Sequence, residues 1–170
     1  MTGCEFLMIK LLDKKLLNEL GQEAESLPRR RKNLNLHHSF KSPVQKLFNA
    51  MQVDSYVRPH RHPEEEKTEL FIAVRGRFAA LIFDENGTVT ERIEFSPDGE
   101  VFGAEIKPNT WHTVIALEDG SVFFEVKQGP YTPLSDKDFA AWAPEETSAA
   151  VKEFMNWLHH ARPGEPSSLF

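Results

Sequence analysis

Apolar residues recur at helical spacing over 11–27, where Leu12, Leu16, Leu17, Leu20, Ala24 and Leu27 share one stripe and Pro28 supplies the stop. After a basic run from Arg29 to Lys32, Asn33, Asn35 and His37 alternate with Leu34 and Leu36, the period of a strand. Ser42-Pro43 reads as a cap with proline at the first helical position, and predicts a short helix through Val44, Leu47 and Phe48. From Ser55 the texture changes. Segments 55–62, 69–75, 77–83, 88–95, 100–106, 111–117 and 121–127 are short and rich in Val, Ile, Phe and Thr. They are bounded by Gly76, Asp84-Glu85-Asn86-Gly87, Pro97-Asp98-Gly99, Pro108-Asn109 and Glu118-Asp119-Gly120. Strands so short and regular, with no helices between them, predict an all-β antiparallel sandwich or barrel. Helical spacing returns over 144–160, with Val151, Phe154, Trp157 and Leu158 on one stripe. Residues 162–170, rich in Pro, Gly and Ser, predict a loose tail.

At 170 residues the chain fits one structural domain: an N-terminal helical and extended segment (1–54) packing on a β-barrel (55–130), then a C-terminal helix and tail (131–170). The net charge of −6 argues against nucleic acid as a partner, because phosphate binding needs a positive field. Cys4 is the only cysteine, which excludes an intrachain disulfide and a thiolate metal cluster. No apolar run approaches the ~18 residues of a membrane span, and the start carries no secretion signal, with Met8 an alternative to Met1. The expectation is a cytoplasmic protein.

The candidate chemistry begins with His60 and His62. Side chains at i and i+2 in an extended segment share a face, so the pair can hold one cation. The same parity brings Arg58 and Tyr56 to that face. Glu69 heads an apolar strand, and His112 follows the turn at Pro108-Asn109. Three imidazoles and a carboxylate suit one divalent transition metal ion (Fe, Mn, Ni, Co, Cu or Zn) and leave two octahedral positions open. Arg58 is a candidate anchor for an anionic substrate group; Tyr56 and Glu125 are candidates for moving a proton. Glu125 and Lys127 can each line the barrel or face solvent, Arg75 reads as surface, and the Asn33, Asn35, His37 stripe can close over the barrel mouth.

The run His60-Arg61-His62, Glu69 and Gly76 resembles the first motif of the cupin family, and Lys107-Pro108-Asn109-Thr110-Trp111-His112 resembles its second. Arg30-Arg31-Lys32-Asn33, Tyr56 to His62, Thr110-Trp111-His112-Thr113 and Phe124 to Tyr131 further resemble the WbuC family of cupin-fold metalloproteins. The resemblance implies a cupin-type double-stranded β-helix, or jelly roll, with peripheral helices at both ends. Its metal ligands carry over to His60, His62, Glu69 and His112. Six residues separate His62 from Glu69, more than the usual spacing, which leaves Glu66 as the alternative carboxylate. Asp54 and Asn109 stand where the motifs carry glycine, and Ala116 where the second ends in asparagine.

WbuC-type proteins are associated with surface-polysaccharide (O-antigen) gene clusters. The resemblance therefore implies an enzyme, isomerase-like or epimerase-like, acting on a sugar or another small oxygenated metabolite. The alternatives are an Fe(II)-dependent dioxygenase and a non-catalytic sensing module for a metal or small molecule. Cupin barrels often pair, so the resemblance also implies a homodimer.

Overall fold

The first helix, α1 (Lys14–Ser26), starts where the Asp13 carboxylate accepts from the Leu16 N–H at 2.9 Å, and it ends before Pro28. Its apolar stripe, Leu20 and Ala24 foremost, packs on Phe48, Ala50 and Val122. The elements that follow are β1 (Arg31–Asn35), β2 (Val44–Met51), β3 (Glu69–Arg75), β4 (Phe78–Phe83), β5 (Val89–Phe95), β6 (Gly103–Ile106), β7 (Trp111–Ala116), β8 (Ser121–Gln128) and α2 (Val151–His160). This computed structural model describes residues 9–63 and 67–167, so Met1, Cys4, Met8 and Glu66 lie outside the described residues.

Two antiparallel sheets face each other, one ordered β1-β2-β8-β3-β6 and the other β5-β4-β7. Met51, Phe71, Phe78, Phe95, Ile106 and Phe123 fill the space between them. Phe123 lies between Phe71 and Phe78, with ring centroids 5.0 and 5.2 Å away. The outer face of the three-stranded sheet is also covered, by Phe154 and Leu158 of α2. That double cover explains why every residue of β7 is buried: Val114 and Ala116 face the interior, Trp111 and Ile115 face α2. Arg92 completes the seam by donating to the Leu158 and His159 carbonyls at the end of α2.

Four expectations are corrected. Residues 44–51 form strand β2, not a helix: the stretch pairs with β1 on one side and β8 on the other, and that pairing overrides the local Ser42-Pro43 signal. The segment 55–62 lies outside any ladder, except for two isolated antiparallel bridges that His60 makes, with His112 and with Phe139. The strand expected over 100–106 is confined to Gly103–Ile106. The tail is not loose as far as Ser167. Val89 donates to Glu165, Gly164 to Val89 and Ser167 to Gly87, at 2.8–3.0 Å, so the chain end pairs beside β5.

The bulge in β3 between Ala73 and Arg75 turns the Arg75 side chain out of the barrel. Its guanidinium donates to Gly120 O, Leu17 O and Asn18 Oδ1, which ties α1 to the turn before β8.

Candidate metal centre

His60 and His112 are joined through their backbones, the N–H of each donating to the carbonyl of the other at 3.0 and 2.9 Å. Their rings lie 4.6 Å apart between centroids. His62 follows two residues on, its own carbonyl accepting from the Asn109 N–H at 2.7 Å. Asn109 has φ +57°, in the left-handed region that glycine favours and asparagine tolerates. Glycine is therefore dispensable at this turn. Glu69, at the head of β3, points inward on the same face as Phe71 and Ala73.

One atom from each of His60, His62, Glu69 and His112 can be chosen so that all four lie within 4.8 Å of one another. Nδ1 of His60 sits 3.0 Å from the Arg58 carbonyl, and Nδ1 of His112 sits 2.8 Å from the Thr110 carbonyl. A carbonyl only accepts, so each Nδ1 carries its proton and each Nε2 is left with a lone pair, the tautomer of a metal ligand. His112 Nε2 then faces Glu69 Oε2 at 3.0 Å, acceptor against acceptor unless a cation or proton lies between them. His62 Nε2 is 3.1 Å from Glu69 Oε1 but is not aligned with it, and despite its burial it has no hydrogen-bond partner among the described residues. This donor set fits a divalent transition metal ion.

The surrounding charges hold Glu69 ionised. Burial alone would raise its pKa, but the Lys127 ammonium and the His112 and His62 contacts outweigh burial and keep it well below the usual carboxylate range. Burial drives the His60 imidazole down to about 3, helped by His112, so it is neutral and able to ligate. Glu125 moves the other way. Burial and the Glu69 charge raise it against the pull of Lys127. Lys127 donates to Glu69 Oε1 at 2.9 Å and lies 2.6 Å from Glu125 Oε1, while Asn49 donates to Glu125 Oε2 at 2.7 Å. Burial disfavours the Lys127 charge, but these two carboxylates together raise its pKa.

A cavity of about 540 Å³ opens above the four side chains. Arg29, Arg31, Lys32, Lys67 and Arg58 line it, with Glu125 and Lys127 on the β8 wall. Arg58 donates to the Ala140 carbonyl at 2.9 Å and lies over the Phe139 ring; its Nε is buried without a hydrogen-bond partner among the described residues. Arg58 and Glu125 thus share the cavity with the histidines. Tyr56 does not. Its ring packs edge-on to Phe154 in the cluster under α2, and its hydroxyl donates to the Pro144 carbonyl at 2.8 Å. Parity failed there because no ladder holds 55–59 in regular alternation. Lys127 and Asn49 are the residues around the cluster that the sequence left unplaced. Alternation along 121–127 does put Lys127 on the Glu125 face, but Asn49 lay in a stretch read as helix. Trp111 packs beside the site, with Arg61 over its ring at 4.3 Å.

Residues 12–95 match the sequence model of a family described as a domain of unknown function (DUF6016). No curated protein matches the chain. Solved structures with a similar course include a conserved protein of unknown function from Streptococcus pyogenes, 15% identical with TM-score 0.50, covering 72% of this chain and 90% of that one. KdgF from Halomonas sp. is 18% identical with TM-score 0.48, covering 63% of this chain and 85% of its own. A cupin-superfamily protein from Desulfitobacterium hafniense is 12% identical with TM-score 0.48, covering 64% and 86%. The chain has the cupin-type double-stranded β-helix fold, two antiparallel sheets closed around a His/Glu cluster suited to a metal ion.

Proposed function

We propose that the protein is a metal-dependent enzyme that moves a proton on a small anionic, sugar-like metabolite, in the manner of an isomerase or epimerase. The observation that carries this reading is the convergence of His60, His62, Glu69 and His112 beneath an open cavity that also holds a raised-pKa carboxyl group, Glu125. A divalent ion held by those four side chains would supply Lewis-acid polarisation of a carbonyl or enediolate oxygen. The chain's own residues do the rest. Arg58, with its unpartnered Nε, holds a carboxylate or phosphate of the substrate. Glu125 gives or takes the proton, since its carboxyl is biased toward the neutral form while Lys127 stands ready to neutralise the anion. Lys127 also fixes the Glu69 carboxylate. The likeness of several stretches to WbuC-type proteins, with their link to surface-polysaccharide gene clusters, favours a sugar as substrate.

The test has two parts. Elemental analysis of tag-free protein is expected to find one transition metal ion per chain in the wild type and none in His60→Ala; equal content in the two overturns the metal centre. Metal-loaded protein is then incubated anaerobically in D₂O with sugar acids and sugar phosphates. Deuterium entering at a carbon next to a carbonyl, and lost in Glu125→Gln, is the expected result. Consumption of O₂ with Fe(II) in place of exchange would replace this reading with the dioxygenase one.

A further inference from the structure

Beside Glu125 and Lys127 lies a second chamber, of about 280 Å³. It shares Asn33, Glu125, Lys127 and Tyr131 with the metal-centre cavity, so Glu125 and Lys127 line both. The remaining walls differ in character. The metal-centre cavity is lined by Arg29, Arg31, Lys32, Lys67 and Arg58, whereas among the described residues the chamber has no Lys or Arg besides Lys127, whose ammonium is held by Glu69.

Its polar groups are open hydrogen-bonding groups. The carboxamides of Asn33 and Asn35, two residues apart on β1, bond to no other side chain or backbone group among the described residues. His37 has its Nδ1 engaged by the Lys46 backbone, which leaves Nε2 buried with no partner among the described residues. A carboxamide donates and accepts together, which suits hydroxyl groups. The apolar side of the chamber is a platform of Phe40 and Tyr131, 59% and 46% exposed, their ring centroids 5.1 Å apart. The platform is built rigidly. Tyr131 N–H donates to the Phe40 carbonyl at 2.7 Å, and buried Gln45 holds the loop below by donating to Ser42 O at 2.8 Å. The two rings touch each other at 39° and do not flank a slot, so they offer one open face. One face with hydroxyl-matching groups around it suits a saturated ring better than a flat base.

We propose that this chamber is a second sugar subsite, which takes a neutral glycosyl ring joined to the anionic unit held at the metal centre. The ligand is then a two-part molecule lying across the Glu125–Lys127 pair. The proposal rests on the anionic-sugar reading of the metal centre for the first part only.

Titration calorimetry on the full chain loaded with Mn²⁺ tests it, with glucuronate, methyl β-glucopyranoside and a glucuronosyl-glucose disaccharide as probes. The disaccharide is expected to bind about tenfold tighter than glucuronate. Asn35→Ala and Phe40→Ala should each erase that gain while leaving glucuronate affinity, metal content and Tm in place. A disaccharide no tighter than glucuronate overturns the subsite, as does a gain that survives both substitutions. Disaccharide binding that ignores metal removal yet is lost in Asn35→Ala keeps the subsite and removes the metal-centre reading. No binding of any probe overturns both. Uridine displacing methyl glucoside overturns the glycosyl assignment.

Discussion

Glu69 and Lys127 stand directly opposite each other in the register of β3 and β8, and the ammonium donates to the carboxylate at 2.9 Å. The same ammonium lies 2.6 Å from Glu125, so one cation serves two buried acids. The His/Glu cluster and Glu125 are thereby parts of one charge network.

Replacing Lys127 by methionine leaves Glu69 and Glu125 buried without that cation. Losing one partner of a buried ion pair costs about 3–5 kcal/mol, so K127M should unfold at a much lower temperature than wild type. A divalent ion bound at Glu69 restores part of the missing charge. Calorimetry is expected to show a larger rise in Tm on adding metal to K127M than to wild type.

Tyr56→Phe removes only the hydroxyl that donates to Pro144 at 2.8 Å. A typical hydrogen bond contributes about 1 kcal/mol, and denaturant unfolding should show a loss of that size. Metal content should be unchanged. A fall in metal content would show that the tyrosine communicates with the centre through the backbone of 56–60.

Asn109 adopts φ +57° and donates to the carbonyl of His62. Asn109→Gly should be close to neutral, whereas Asn109→Val, forced into the left-handed region, should cost about 1–2 kcal/mol. Because the strain falls on the turn that fixes His62, metal affinity should drop with stability in the valine variant and hold in the glycine one.

Glu146 accepts from Arg29 and Arg31 at 2.8 and 2.7 Å beside the cavity mouth. Burial opposes its charge, yet these two guanidinium groups lower its pKa below the ordinary carboxylate value. A depressed pKa in the folded state means stability that is present above the unfolded value and lost as pH falls through the folded one. Wild-type Tm should therefore fall more steeply than that of Glu146→Gln below about pH 4.

The barrel strands were legible because their turns carry strong local chemistry. Asp84, for example, accepts from Asn86 and Thr88 just where Asp84 to Gly87 reads as a turn. Of the four candidate ligands, Glu69 was legible at the head of an apolar strand and His112 beside the Pro108-Asn109 turn, while His60 and His62 were found by their i, i+2 spacing alone. What escaped reading depends on pairing at a distance. Strand β2 exists because β1 and β8 flank it, and the tail is ordered because Gly87 and Val89 bond it. The partnership of Glu69 with Lys127 spans 58 residues and follows only from the register of two strands. Tyr56 departed from the expected face for the converse reason, having no neighbour strand to enforce alternation.

The paired hydrogen bonds between His60 and His112 carry a further consequence. They set the separation of two ligands by peptide geometry and not by the ion, so the imidazoles are poised before any metal arrives. A metal entering this site spends little of its binding energy on arranging the protein. Ions that differ in radius must then be distinguished chiefly by the members outside that backbone pair, foremost His62, whose Nε2 has no hydrogen-bond partner among the described residues.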